Sequence, residues 1–251
     1  MKLTGKVALV TGAGSGIGRS IVEVFVENGA QVVAADLNAS ALETLAQEIA
    51  ARGCPPITTV TGDVSKRADA ENMVDTAVKV YGTIDIVVNN AGIMDEFVPL
   101  GNLDDALWRR VLGVNLDGPM YISRKALETM LPAGKGVIVN ISSIGGLFGG
   151  RAGVSYTTSK HALIGLTRSI AYEYAMKGIR CNAVCPGGVA TNISVTHPDP
   201  LGMERLQSTL GSAVRTADPE ELARVALFLA SEDSSFVNGE VLVADGGWTV
   251  G

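Results

Sequence analysis

Two groups of residues in this 251-residue chain have types and spacings that could carry chemistry. The first is Thr11-Gly12-Ala13-Gly14-Ser15-Gly16-Ile17-Gly18, which follows the apolar run Val7-Ala8-Leu9-Val10 and opens a segment of helical periodicity. A strand that ends in a glycine-rich turn and enters a helix makes an anion site. Its backbone lets a phosphate come close, and the unpaired amides of the helix start point at it. Asp36 ends the next apolar run, Val32-Val33-Ala34-Ala35. That is about where a dinucleotide fold places the carboxylate that binds an adenosine ribose. The second group is Tyr156 and Lys160, at i and i+4 in a segment that suits a helix through Ala175, so both side chains share one face. Ser143 stands just past the apolar strand ending Asn140-Ile141, and Asn115 lies inside a long helical segment.

These residues need a frame, and the hydrophobic pattern supplies one. Candidate strands are 6–11, 31–35, 57–61, 84–89, 136–141, 179–185 and 240–244. Several are near-continuous apolar runs, such as Val137-Ile138-Val139 and Val241-Leu242-Val243, which implies burial on both faces of a parallel sheet. Helical segments alternate with them. Ser40 and Glu43 fit a capping box ahead of Leu42, Leu45, Ala46 and Ile49, with Gly53 beyond the end. Asp218-Pro219-Glu220-Glu221 starts another helix, with Leu222, Val225, Ala226 and Leu229 as its buried stripe. The expected fold is α/β: one domain over 1–251, a doubly wound seven-stranded parallel sheet with helices on both faces. Residues 186–217 are the largest irregular region, read as a mobile cover over a substrate with a short helix near 200–210.

Composition narrows the function. Apolar residues make up 47% and charged residues 18%, as in a globular α/β protein, and thirty glycines without a fixed period exclude a collagen-like repeat. The net charge is −6 and no Lys/Arg cluster occurs, which argues against nucleic acid as a partner. No apolar run approaches the ~20 residues that span a bilayer, so no membrane is expected. The first strand near residue 6 leaves no room for a signal peptide. Three cysteines at loose spacing suggest no disulfide framework, a reducing compartment and a cytoplasmic location. Cys181 and Cys185 read as small core residues, and no metal site is expected.

Two further motifs stand at strand ends: Asn89-Asn90-Ala91-Gly92 after the fourth and Pro186-Gly187-Gly188-Val189-Ala190-Thr191 after the sixth. In joint order with the glycine turn, Asn115, Ser143, Tyr156 and Lys160, they resemble the short-chain dehydrogenase/reductase family from Lys6 to Gly247. The resemblance implies a Rossmann fold and an oxidoreductase. Tyr156 is then the acid/base group, and the Lys160 cation favours its phenolate by Coulomb attraction. Lys160 would also bond the nicotinamide ribose. Ser143 orients the substrate oxygen, and Asn115 holds a water in a proton relay. The resemblance also implies a homotetramer or homodimer.

Asp36 points to NAD rather than NADP, because a carboxylate accepts from two free ribose hydroxyls and repels a 2′-phosphate. Ser15 and Leu37 stand where NADP-preferring members carry cations. The other expected cofactor contacts are Gly12, Gly16, Ile17 and Gly18 in the turn, then Asp63 and Val64, which in family members meet adenine. Asn89, Ala91 and Gly92 line the adenosine side, and Pro186, Gly187, Val189 and Thr191 the nicotinamide end. Met94, Gly145, Leu147, Phe148 and Met203 join Ser143 and Tyr156 as substrate candidates, with Leu201, Leu206 and Leu210 able to close over them. This mainly apolar set suits a secondary alcohol or ketone. Asp95 and Glu96 read as rim charges, Ser142 as structural, and His161 as facing away from Tyr156. The alternatives are a 3-oxoacyl-(acyl-carrier-protein) reductase and a non-catalytic nucleotide-binding module.

Overall fold

A computed structural model describes residues 1–193, 195–211 and 213–250; the side chain of Leu210 lies outside what it describes. Seven parallel strands run β1 (Val7–Thr11), β2 (Gln31–Asp36), β3 (Thr58–Thr61), β4 (Ile86–Asn89), β5 (Gly136–Ile141), β6 (Ile179–Pro186) and β7 (Val241–Ala244). Their order in the sheet is β3-β2-β1-β4-β5-β6-β7, all neighbours parallel. The chain builds outward from β1 to β3, then returns to place β4 on the other side of β1. Such a reversal opens a crevice beyond the carboxyl ends of β1 and β4.

Period-2 alternation divides β1 between two cores. Ala8 and Val10 face α1 (Gly16–Glu27), α2 (Ala39–Ala51) and α8 (Pro219–Ala230), packing with Ile21, Phe25, Leu42 and Leu222. Val7 and Leu9 face the other side, with α3 (Arg67–Tyr81), α5 (Gly118–Ala133) and α6 (Val154–Tyr174), against Met73, Ile122, Met130 and Ile170. The doubly wound α/β sheet expected from the sequence is present. Two local details differ. Asn38, not Ser40, caps α2: its side chain accepts from Ala41 N, and Ser40 donates to it. β7 is only partly covered, with Val243 exposed, because an edge strand has a single neighbour.

A short helix, α4 (Asp105–Leu112), precedes a five-residue π-helical turn at Gly113–Asp117. Another, α7 (Pro200–Leu210), falls where the sequence placed one in 186–217. Cys181 and Cys185 are fully buried, and burial pushes the Cys181 thiol up to about 12, so it stays an inert core group. Among the described residues no helix is long and apolar enough to cross a membrane.

Candidate active site

Strand ends and the turns after them line one cleft of about 710 Å³. Gly12, Ser15, Gly16 and Ile17 form one wall after β1. Ser15 is the N-cap of α1, yet its side chain makes no capping bond, and the first turn holds no acid. The opening amides of a twelve-residue helix are thus left for an anion. Asp36 and Leu37 line the cleft after β2, and Asp63 and Val64 after β3. The Asp36 carboxylate is held by Gly14 N at 2.8 Å and Asn38 N at 2.9 Å, aimed at the turn. A diphosphate-linked dinucleotide with one acceptor at a ribose fits this donor set.

Gly18 lies outside the lining. A Cβ there would collide with the Gly12 carbonyl and the Asn90 side chain, so this glycine serves close packing of α1 on the turn. Gly18→Ala is expected to cost about 1–3 kcal/mol of stability and to weaken dinucleotide binding. Thermal melting and a cofactor titration check it; an unchanged melting temperature contradicts it.

The far end of the cleft holds Ser143, Tyr156 and Lys160. Tyr156 and Lys160 project from one face of α6, and the Lys160 ammonium lies 5.6 Å from the Tyr156 ring centre. Lys160 Nζ donates to Ile141 O at 2.9 Å. The Ser143 side chain stands by the Tyr156 phenol and lowers it, and its Oγ accepts from Gly145 N at 3.0 Å. Asn115 is fully buried in the π-helical turn. Its amide donates to Ile93 O and Ser159 Oγ, and its carbonyl accepts from Ile93 N. It thereby clamps the loop after β4 to α6.

A family model described as "Enoyl-(Acyl carrier protein) reductase" matches residues 12–249. The chain is 48% identical over 250 residues to 3beta-hydroxysteroid dehydrogenase 2 of Eggerthella lenta, covering 98% of this chain and 96% of that protein. It is 37% identical to 3-oxoacyl-[acyl-carrier-protein] reductase FabG of Thermotoga maritima, over the whole of both chains. Among solved structures, a putative NAD(P)-dependent gluconate 5-dehydrogenase from Beutenbergia cavernae with bound NADP superposes with a TM-score of 0.89. That protein is 38% identical, with 100% of this chain and 99% of the other covered. This chain belongs to the short-chain dehydrogenase/reductase family. It is an oxidoreductase built to bind a nicotinamide dinucleotide.

Some expected residues of this short-chain dehydrogenase/reductase fall elsewhere. The Asn89 side chain turns into the sheet and donates to Ser123 Oγ and Asn140 Oδ1. Its neighbour Asn90 lines the cleft and donates to Thr11 O and Gly12 O. Ala91, Gly92, Pro186, Gly187, Val189, Thr191 and Met94 line it as expected. Gly145, Leu147, Phe148 and Met203 do not. Gly145 lies against the edge of the Tyr156 ring instead, and Phe148 is partly exposed at 42%. His161 is exposed and bonded to Thr157 O, while Ser142 donates to Lys160 O, a structural bond.

The electrostatics correct one expectation. Burial, with the Asp95 and Cys185 charges, pushes the Tyr156 phenol up to about 12, and what opposes it is Ser143 rather than Lys160. Burial likewise brings Lys160 down to about 8. Glu96 and Arg110 also line the cleft. Arg110 makes no ion pair with another described residue, and it escaped the sequence reading because it belongs to no motif. Glu96 is not simply a rim charge: its carboxylate accepts from His197 N and Thr196 Oγ1, and its carbonyl from Asp199 N. Glu96 and Phe97 are consecutive non-glycine residues in the left-handed region, at φ 56° and 58°.

Proposed function

We propose that the protein is an NAD(H)-dependent oxidoreductase of apolar secondary alcohols and their ketones, with Tyr156 as acid/base. The carrying observation is that Ser143, Tyr156 and Lys160 meet at one end of the cleft while Asp36 holds the other. The bound nicotinamide would accept the hydride from the alcohol carbon, or return it to the ketone. Tyr156 takes the hydroxyl proton in oxidation and gives it back in reduction. Ser143 Oγ holds the substrate oxygen opposite the phenol, and the Lys160 cation stabilises the phenolate as it forms. Asn115 keeps the loop after β4 and α6 in register and would hold a water of the proton relay that reaches Lys160. Gly12, Ser15, Gly16 and Ile17 receive the diphosphate, and Asp36 the ribose hydroxyls.

The chain acts as one domain over 1–251, with 186–217 and its α7 as the cover over the substrate. The 48% identity to a protein named for 3beta-hydroxysteroids favours a cyclic alcohol. Assembly as a dimer or tetramer agrees with the exposed Tyr172 and Met176 at the end of α6, and a cytoplasmic site with three unpaired cysteines.

A panel of 3β-hydroxysteroids and cyclohexanols, assayed with NAD and with NADP, tests this reading through the absorbance of the reduced cofactor. Turnover with NAD at least about tenfold above NADP is expected, a difference of about 1.4 kcal/mol. Faster reduction of an acetoacetyl thioester with NADPH would favour the carrier-protein reading instead. No turnover with any of these would favour a binding module.

A further inference from the structure

The helix that carries Tyr156 begins without a cap of its own. Its N-cap residue is Gly153, which has no side chain to offer, and the first turn of α6 contains no acid. Opening amides of a 21-residue helix need an acceptor, and a negative charge there is favoured by the helix dipole. Asp95 supplies both from the loop after β4. It is completely buried. Its carboxylate accepts from Gly153 N at 3.0 Å, Ser155 Oγ at 3.1 Å and Tyr156 N at 2.8 Å, and closes its own turn through Phe97 N at 3.2 Å. A Cβ on Gly153 would stand 2.6 Å from both Asp95 Oδ1 and Val98 N, so only glycine lets the loop carrying Asp95 come this close.

We propose that Asp95 is a positioning residue for the reaction: it caps the catalytic helix from a distant loop, holds the Tyr156 backbone directly, and so fixes the phenol opposite Ser143. The inference rests on the reading of Tyr156 as acid/base. The carboxylate has a second consequence, because its charge opposes a phenolate. Tyr156 is faced by Asp95 from the β4 loop, Ser143 after β5, Cys185 on β6 and Lys160 one turn along its own helix, and Glu96 lines the same cleft. Among these, Asp95 and Cys185 raise the phenol and Ser143 lowers it. Two different segments of the chain therefore set one proton's position and one proton's affinity. The loop carrying Asp95 is also the one that Asn115 clamps through Ile93.

Asp95→Asn keeps the shape but presents an amide N–H to amides that cannot accept. Its kcat is expected to fall about 10- to 100-fold, while the KM for NAD stays within about threefold, since the turn and Asp36 are untouched. The limb on which alcohol oxidation rises with pH should move to lower pH, because the phenolate no longer faces a carboxylate. Ser155→Ala removes one bond to the carboxylate but leaves its charge beside Tyr156. That variant should lower the melting temperature, yet keep the parent's pH limb. A purely structural role for Asp95 would leave the limb in place in Asp95→Asn as well. The inference is overturned if Asp95→Asn has kcat within twofold of the parent and a superposable pH profile. Should Asp95→Asn fail to fold, Asp95→Ser, which keeps a neutral acceptor for the helix amides, takes its place and overturns the inference on the same two readings. Tyr156→Phe, run alongside, separates the two readings: an active Tyr156→Phe sinks the acid/base assignment, whereas an inactive one beside a normal Asp95→Asn sinks only this inference.

Discussion

Tyr156→Phe is expected to lower kcat by about 10²- to 10⁴-fold while leaving dinucleotide affinity and the fold intact. The change deletes a single hydroxyl. The ring stays packed against Gly145, and the residue remains on the same face of α6. What disappears is the phenol that stands by Ser143 and exchanges a proton with a substrate oxygen held there. Stopped turnover with an unchanged cofactor titration is the signature; turnover within threefold of the parent refutes the role. The pH dependence follows from the same burial. The phenol, pushed up to about 12, is protonated across the neutral range, the form that reduction of a ketone requires. Oxidation needs the phenolate and should climb as pH rises on the alkaline side. Lys160, brought down to about 8, loses its charge over part of that climb, so the slope should flatten above that point.

Asp36→Ala should move cofactor selectivity by about 10²-fold toward NADP, most of it through a higher KM for NAD. The carboxylate is fixed by two backbone amides and stands at the cleft edge beside Leu37, with no cation at Ser15 or Leu37 to receive a 2′-phosphate. Removing it loses charge-assisted bonds worth about 1.5–3 kcal/mol to ribose hydroxyls and at once relieves repulsion of a phosphate. The ratio of kcat/KM for the two cofactors measures it directly, and an unaltered ratio would place discrimination elsewhere.

The features that were legible in the sequence are those written in local pattern. Apolar runs gave seven strands to within two residues of their ends, and i, i+4 spacing put Tyr156 beside Lys160. Details that depend on distant partners were not. Asp95 reads as a surface acid next to Glu96 until folding brings it to Gly153, 58 positions along the chain. At α2 two residues of capping type lie two apart, and propensity alone does not choose between Asn38 and Ser40. Asn89 and Asn90 are adjacent at a strand end, where successive side chains take opposite sides, so one enters the sheet and the other the cleft. At Tyr156 the sequence shows the neighbouring Lys160 but not the loss of water, which is what raises the phenol most.

Glu96 and Phe97 hold a backbone shape that costs about 1 kcal/mol or more for each. The bonds that keep it run from Glu96 to His197 and Asp199, at the approach to α7, and Gly202 in α7 abuts the Phe97 carbonyl. Tension in this loop and the seating of α7 are therefore a single mechanical quantity. Any displacement of residues 197–202 must either break the bonds to Glu96 or carry the Glu96–Phe97 turn with it.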